Sequence, residues 1–159
     1  MNVIEKFYTA FSNLDAEGMA ECYSENISFE DPAFGELKGI HASNMWRMLL
    51  ESQKGKEFVV KFSNVDLANE NGTASWEAFY NFSVTGRKVH NKISAIFEIQ
   101  DGLIVSHKDD FNLRKWAKQA LGFKGAVLGG TRFFKKNLVG QTARMLRKWE
   151  AKKDQVSES

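Results

Sequence analysis

Four long alternating segments between residues 57 and 112 constrain the fold most strongly. They read EFVVKFSNVDLA, TASWEAFYNFSV, RKVHNKISAIFEI and LIVSHKDDFN, and apolar and polar residues alternate along each. The pairs Asn71-Gly72, Thr85-Gly86 and Asp101-Gly102 separate them. Asn-Gly and Asp-Gly are strong hairpin signals because both of their residues tolerate positive φ. The sequence therefore predicts a four-stranded antiparallel meander.

Three helices are predicted ahead of this sheet, over residues 2–13, directly after Asp15, and over about 40–53. A short strand at 27–30 lies between the second and third helices, followed by a loop that contains Gly35 and Gly39. Helices followed by a sheet indicate an α+β fold with the helices on one sheet face. Long, strongly twisted strands can curl around such helices and form a cone.

Strand alternation predicts which side chains face the inside of the cone. In the last strand one set comprises Val105, His107, Asp109 and Phe111, and the other set includes Asp110. A shift of one residue in register would exchange Asp109 for Asp110. On the two preceding strands the inward sets are Ala74, Trp76, Ala78, Tyr80 and Phe82, and Val89, Asn91, Ile93, Ala95, Phe97 and Ile99.

The segment NISFEDPAFGELKG, residues 26–39, places an acid at the end of the first strand. Asp31 precedes the only proline of the chain, and an Asp at this place often accepts backbone N–H groups in a turn. If Asp31 instead points inward among aromatic side chains, desolvation raises its pKa and makes it a usable base. Both interpretations of Asp31 stay open from the sequence.

Composition excludes several classes of protein. The 159 residues are 43% hydrophobic, which suits one globular domain with a substantial core. A single cysteine, Cys22, excludes an internal disulfide, and three scattered histidines argue against a metal site. The N-terminus does not resemble a signal peptide and no segment is long and apolar enough to span a membrane, so we expect a cytoplasmic protein.

The C-terminal segment is strongly basic. Residues 113–159 carry a net charge of +9, whereas residues 1–112 carry −7. LRKWAKQAL predicts a helix, GFKGAVLGG a glycine-rich loop without the features of a phosphate-binding loop, and the following segment a helix capped by Thr131. Its apolar stripe is Phe134, Leu138, Met145 and Trp149.

The role expected for this segment follows from its stripe and its charge. The stripe favours packing on the cone or on a partner subunit over a lid or contact with an anionic membrane. The acidic body argues against nucleic acid. We expect residues 1–112 to form the cone and residues 113–159 a helical extension of the same domain.

The order and spacing of these elements resemble the nuclear transport factor 2-like superfamily, in its SnoaL-like polyketide cyclase and ketosteroid isomerase-like branch. The resemblance rests on FYTAFSNLDAEGMAECYSENISFEDP, on the loop to Gly-Ile-His and on DGLIVSHKDDF, and covers about residues 3–115. It implies a curved antiparallel sheet wrapped around helices with an apolar pocket. It also implies a small apolar ligand, no cofactor, and a homodimer formed through the outer face of the sheet.

The resemblance also implies roles for particular residues. Asp31 matches the general base of the ketosteroid isomerases, whose oxyanion hole combines a Tyr with a protonated Asp. Those two positions fall on Phe7, with Tyr8 one residue away, and near Ala95. Both donors are therefore predicted to be missing, and losing each costs about 10²–10³ in rate. This argues against steroid isomerisation.

SnoaL-like cyclases and related epoxide hydrolases place acids and a basic residue deeper in the cone. By this resemblance Asp31, Asp109 and His107 form the candidate catalytic set. The candidate ligand-pocket residues are Phe7, Phe11, Phe29, Phe34, Met45, Trp76, Tyr80, Asn91, Phe97 and Phe111. Two functions follow: a cofactor-independent isomerase, cyclase or hydrolase acting on an apolar carbonyl or epoxide, or a non-catalytic ligand-binding or assembly domain.

Overall fold

The computed structural model describes residues 1–158, with side chains through Val156, and these residues form six helices and six strands. In chain order the elements are α1 (Val3–Ser12), α2 (Ala16–Glu21), β1 (Tyr23–Asp31), β2 (Gly35–Lys38), α3 (Ile40–Gln53), β3 (Val59–Ala68), β4 (Asn71–Asn81), β5 (Lys88–Gln100), β6 (Leu103–Asp110), α4 (Leu113–Leu121), α5 (Phe123–Leu128) and α6 (Arg132–Glu158).

The strands form one curved sheet in the order β2-β1-β6-β5-β4-β3. The antiparallel meander β3–β6 is confirmed, as is the α+β class. Strand β1 lies parallel to β6, and β2 pairs antiparallel with the other edge of β1. The N-terminal strand therefore extends the sheet beside β6, so that its last residues come next to the last residues of the meander.

Two of the three hairpin turns form at the positions that the sequence predicts. Asp101 and Gly102 have φ values of 52° and 79°, and a turn also forms at Thr85-Gly86. The first prediction was wrong by two residues, because Asn69-Glu70 makes the turn and Asn71 begins β4. Gly72 instead lies under α1, where a Cβ would collide with the Ile4 side chain. This glycine is needed for close helix–sheet packing.

Three further elements differ from the predictions. Residues expected in a loop form strand β2, and β1 begins earlier than predicted, at Tyr23. The prediction of a glycine-rich loop was also wrong, because residues 123–128 form helix α5. A Cβ at Gly125 would overlap the backbone of Ala117 on α4. This glycine therefore serves the close packing of two helices.

The core lies between the concave face of the sheet and helices α1–α3. The expected alternation holds on β4 and β5, where Ala74, Trp76, Ala78, Val89, Ile93, Ala95, Phe97 and Ile99 are buried. Phe7, Phe11, Met45 and Trp46 meet them from the helices. Burial of so many aromatic side chains is the main source of stability of this fold.

The C-terminal helices pack on the same cone. Helix α4 forms a second apolar cluster with Val89, and Phe134 and Leu138 of α6 join that cluster. Further along α6, Thr142 Oγ1 donates a hydrogen bond of 2.9 Å to the carbonyl of Ala33, and Leu146 enters the main core.

The buried stripe of α6 differs from the predicted one by one residue. Thr142 and Leu146 are buried, whereas Met145 is 54% exposed, so the prediction for Met145 was wrong. The predicted cap is confirmed, since Thr131 Oγ1 accepts from the Phe134 N–H at 3.1 Å. No helix within residues 1–158 is long and apolar enough to cross a membrane.

Candidate functional site

The pairing of β1 with β6 brings two acids together on the concave face. Phe29 is aligned with His107 in this parallel pair, and both side chains are buried. Asp31 and Asp109 each follow two residues later, so they share that face at the same height. Neighbouring strands lie about 4.8 Å apart, which puts the two carboxyl groups within direct electrostatic reach.

Asp31 makes the predicted turn, and its side chain is half-buried there. Its Oδ1 accepts the backbone N–H groups of Ala33 at 2.9 Å and Phe34 at 2.6 Å. Burial nevertheless raises the pKa of Asp31 to about 7; the hydrogen bond from Phe34 opposes the shift, and the nearby charge of Asp109 adds to it. The two interpretations of Asp31 are therefore compatible, because the carboxyl group that makes the turn also has the raised pKa.

Asp109 is the inward acid of the final strand. It is buried, whereas Asp110 is exposed, so the uncertainty over register is resolved in favour of Asp109. Asp109 Oδ1 accepts from the indole N–H of Trp76 at 3.2 Å and lies 2.9 Å from His107 Nε2. A buried carboxylate that accepts from two donors is held in one orientation.

His107 sits behind Asp109 in a chain of hydrogen bonds. Trp46 Nε1, which can only donate, bonds to Tyr23 Oη at 3.0 Å. Tyr23 in turn lies 2.7 Å from His107 Nδ1. The Tyr23 oxygen has two lone pairs, so it can accept from Trp46 and still either donate to Nδ1 or accept from it. An ionised Asp109 accepts the Nε2–H of His107. The network fixes the orientation of the His107 ring, with Nε2 facing the carboxylate of Asp109 and Nδ1 facing Tyr23.

Aromatic rings enclose His107 completely. Its ring stacks on Phe97 with centroids 4.4 Å apart and meets the edges of Phe7 and Phe29. The histidine is 1% exposed, and both ring nitrogens have partners. His107 can orient Asp109, but it does not face a space that a ligand could enter.

The predicted pocket residues divide into two groups. Six belong to the buried main core, where three of them contact His107 and one donates to Asp109: Phe7, Phe29 and Phe97 contact His107, Trp76 donates to Asp109, and Phe11 and Met45 lie elsewhere in that core. Phe34 is buried at the turn beside Asp31. Tyr80 and Phe111 lie towards α4, where Tyr80 Oη accepts from Trp116 Nε1 at 2.8 Å. Asn91 is aligned with Ala78, four residues along β5 from the partner of Asp109, so it lies away from the acids.

Tyr8 was missed as a site residue. Its side chain is fully buried against Phe62 and Phe97, yet Tyr8 Oη has no hydrogen-bond partner within residues 1–158. Burial raises the pKa of Tyr8 well above its usual value, and the charge of Asp109 adds to the effect. Buried hydroxyl groups nearly always have a partner, so this donor needs an explanation.

The structure also changes the comparison with the isomerase site. Asp109 is the cross-strand partner of Ala95, the position at which an acid seemed to be missing. Tyr8 brings a phenol into the same interior, one helical position from Phe7. A carboxyl and a phenol are thus present near the two expected places, although they come from different positions of the chain.

Comparison with protein families decides the classification. Residues 4–107 match the model of the SnoaL-like domain. This chain belongs to that family. The match spans most of the chain, and it confirms the resemblance drawn from the strand pattern and the Glu-Asp-Pro segment. Curated proteins give no significant match.

Solved structures similar to this SnoaL-like chain share its fold at low sequence identity. An LEH-like epoxide hydrolase from M. tuberculosis is 20% identical, with a TM-score of 0.57 over 80% of this chain and 88% of the other. A protein with a ketosteroid isomerase-like fold from Catenulispora acidiphila, in complex with trimethylamine, is 11% identical, with a TM-score of 0.61 over 74% and 91%. An NTF2-like protein of unknown function from Burkholderia pseudomallei is 14% identical, with a TM-score of 0.62 over 75% and 95%.

Two open grooves of this SnoaL-like chain lie away from the acids. One, of about 660 Å³, is bordered by α1, α2 and the β5–β6 turn, and the other, of about 430 Å³, lies between α2, α3 and α6. Neither is lined by Asp31, His107 or Asp109. Within residues 1–158 no group of three or more His, Cys, Asp or Glu side chains is placed to hold a metal ion.

Proposed function

We propose that this protein is a cofactor-independent acid–base enzyme that acts on an apolar ring molecule carrying a carbonyl or an epoxide. The observation that carries the proposal is the alignment of Phe29 with His107, two residues before Asp31 and Asp109, together with a pKa of about 7 for Asp31 that the charge of Asp109 helps to raise. A carboxyl group with a pKa near the working pH transfers protons efficiently in either direction. Two acids in one apolar site also keep different protonation states.

Each polar residue then has a distinct role. Asp31 is the base that removes a proton from the ligand or from an attacking water, and the protonated Asp31 returns that proton to the product. Asp109 is oriented by its contacts with Trp76 and His107 and faces Asp31 as its partner acid. His107 is a positioning residue, since it contacts Asp109 and not the ligand space. Tyr8 supplies a hydroxyl donor for the ligand oxygen.

Access to the acids runs past the C-terminal helix in this proposal. Thr142 of α6 bonds to Ala33, and Val139 packs against Gly35, so α6 covers the turn that holds Asp31. The interior behind this turn is filled by aromatic rings. An apolar ligand would therefore enter by displacing part of α6 and exchanging contacts with those rings, which keeps water away from the reaction.

A second candidate function is a non-catalytic ligand-binding or assembly domain. The packing favours it, because Phe7, Phe11, Phe29 and Phe97 are at most 2% exposed and fill the cone. In that case Asp31 would serve only the turn, and the network around His107 would only stabilise the core. The two candidates differ in whether a molecule placed beside Asp31 is converted.

The experiment is a thermal-shift screen followed by a turnover assay. The panel comprises steroids, polycyclic ketones, terpene epoxides and fatty acids, each paired with a hydrocarbon of the same shape that lacks the oxygen. A ligand that binds only the folded protein raises Tm by mass action. The proposal predicts hits among ring carbonyls or epoxides, weaker shifts for the paired hydrocarbons, and conversion detected by NMR.

Asp31→Asn separates catalysis from binding in the same assay. The variant is expected to keep the ligand-induced Tm shift and to lose conversion. Ligands that shift Tm but are never converted would assign the protein to the binding class. A panel without hits would contradict both the proposed ligand class and an accessible interior.

A further inference from the structure

The C-terminal helices carry a long segment without acidic residues. Between Phe111 and Trp149 there are ten Lys or Arg residues and no Asp or Glu. All ten of these cationic side chains are exposed, and none forms a salt bridge within the described part of the chain. The rest of the molecule is acidic, so the positive charge is concentrated on one region.

Helix α6 presents part of this charge on the face that points away from the cone. Its inward stripe packs through Leu138, Thr142 and Leu146. The opposite face carries four exposed residues at successive spacings of three, eight and three positions, which keep them on one side of the helix: Phe133, Lys136, Arg144 and Arg147. Packing on the cone therefore leaves a basic face of α6 unused.

Exposed apolar side chains lie at the N-terminal end of α6 and on α5, the helix directly before it in the chain. Phe123 is 83% exposed and Phe133 is 73% exposed. Val127 and Leu128 of α5, between them in the chain, are also largely exposed. We call these four residues, with Lys124, Lys136, Arg144 and Arg147, the basic–aromatic surface. Two exposed phenylalanines among cations are unusual for a face that contacts only water.

We infer that the basic–aromatic surface binds an anionic phospholipid bilayer, lying on it without crossing it. Exposed Phe and Leu side chains next to Lys and Arg match the boundary between headgroups and acyl chains. The absence of acids over this segment removes the repulsion that an anionic surface would otherwise cause. The occupant is a lipid surface and not a partner helix, because the inward stripe of α6 is already packed while charge and aromatic rings share the outward side.

This contact would place the proposed entry route beside the membrane. The same helix, α6, bears the outward basic face and covers the turn of Asp31 through Thr142. Apolar molecules dissolved in a bilayer could then reach the cone without crossing water. The lipid contact itself does not depend on any catalytic activity of Asp31.

Vesicle flotation with the full chain tests the inference. The vesicles contain phosphatidylcholine alone or with about one third phosphatidylserine, which supplies the anionic surface. Binding is expected only to the anionic vesicles and is expected to weaken as salt is raised. Phe123→Ser with Phe133→Ser should lower the binding constant at least about tenfold. Lys136→Gln with Arg144→Gln should lower it about fivefold for each cation removed.

Matched controls keep the result specific. Val84→Ser removes an equally exposed apolar side chain elsewhere, and Lys54→Gln with Lys56→Gln removes two exposed cations outside this surface. These controls should bind as the parent does. Circular dichroism checks that every variant is folded, which is expected because all the replaced side chains are exposed.

Three results would overturn the inference. The first is no binding to anionic vesicles at low salt. The second is binding that survives loss of both phenylalanines and is matched by RNA of equal charge, which would assign the surface to polyanions in general. The third is self-association in solution without vesicle binding. If that self-association required both phenylalanines, the surface would be assigned to a second copy of the chain.

Discussion

At the scale of single residues, Asp31 makes a turn and is proposed to act as a base, and Asp31→Asn separates the two roles. The amide oxygen of Asn can still accept from Ala33 and Phe34, while the titrating charge is lost. We expect the variant to fold and to lose turnover. Asp31→Ala, which removes the acceptor as well, should be less stable by about 1–3 kcal/mol in chemical denaturation. An Asn variant as destabilised as the Ala variant would contradict a retained turn.

Tyr8 offers a second test at this scale. Tyr8→Phe removes a buried hydroxyl that has no partner, so it should leave the free energy of unfolding unchanged or raise it by about 1 kcal/mol. Ligand binding or turnover should nevertheless weaken. Tyr23→Phe is the matched control, because it breaks the bonds to Trp46 and His107 and should destabilise the fold by about 1–3 kcal/mol. Equal destabilisation by both changes would show that Tyr8 Oη has a structural partner.

At the scale of elements, the buried stripe of α6 is the feature to test. Leu146→Ala should cost about 2–5 kcal/mol, since Leu146 is buried in the main core. The neighbouring Met145→Ala should change the free energy of unfolding by less than about 0.5 kcal/mol, because Met145 is exposed. Urea denaturation monitored by tryptophan fluorescence gives both values. A larger loss of stability from Met145→Ala than from Leu146→Ala would contradict this assignment and support the stripe predicted from the sequence.

The sequence predicted those elements whose periodicity is local. Helix α3 and the strands of the meander have strong repeating patterns, and the inward faces expected for β4 and β5 agree with the burial of their residues. On β6 the expected alternation fails at Ile104, which was assigned to the outer set but is fully buried. Gly72 and Gly125 misled the prediction, because a glycine needed for close packing cannot be told from a turn glycine by its neighbours. Strand β2 has only four residues, too few to show a period.

The site was predictable only in part, for a related reason. Asp31, His107 and Asp109 follow from strand period and the family resemblance. The contributions of Tyr23 and Trp46 depend on β1 pairing in parallel with β6 and on an irregularity in that pairing between Tyr23 and Ser28. Neither feature has a signal in the sequence. The expected homodimer through the sheet and the expected cytoplasmic location stay predictions.

At the scale of the whole molecule, burial of Asp31 links global stability to pH. The pKa of Asp31 is raised in the folded protein to about 7, against about 3.9 in an unfolded chain. Between these values the folded state binds more protons than the unfolded state, so the Asp31 contribution to stability falls as pH rises from about 4 to about 7. Above about pH 7 it is constant.

The comparison with Asp31→Asn isolates this contribution from that of all other acids. The free energy of unfolding of the parent, relative to that of the variant, should decline over this interval by at most about 4 kcal/mol. Urea denaturation of both proteins at a series of pH values measures the difference. A difference that does not change with pH would mean that Asp31 has an ordinary pKa in the folded state.

The most direct test of the account is an NMR titration of the Asp31 carboxyl carbon. Its signal is identified because it is absent from the spectrum of Asp31→Asn. The account predicts a midpoint near pH 7, because burial raises the pKa, and a lower midpoint in Asp109→Asn, because the neighbouring charge is removed. A midpoint near 4 that does not respond to Asp109 would contradict it. The two acids would then not share an apolar site, and Asp31 would be only a turn residue.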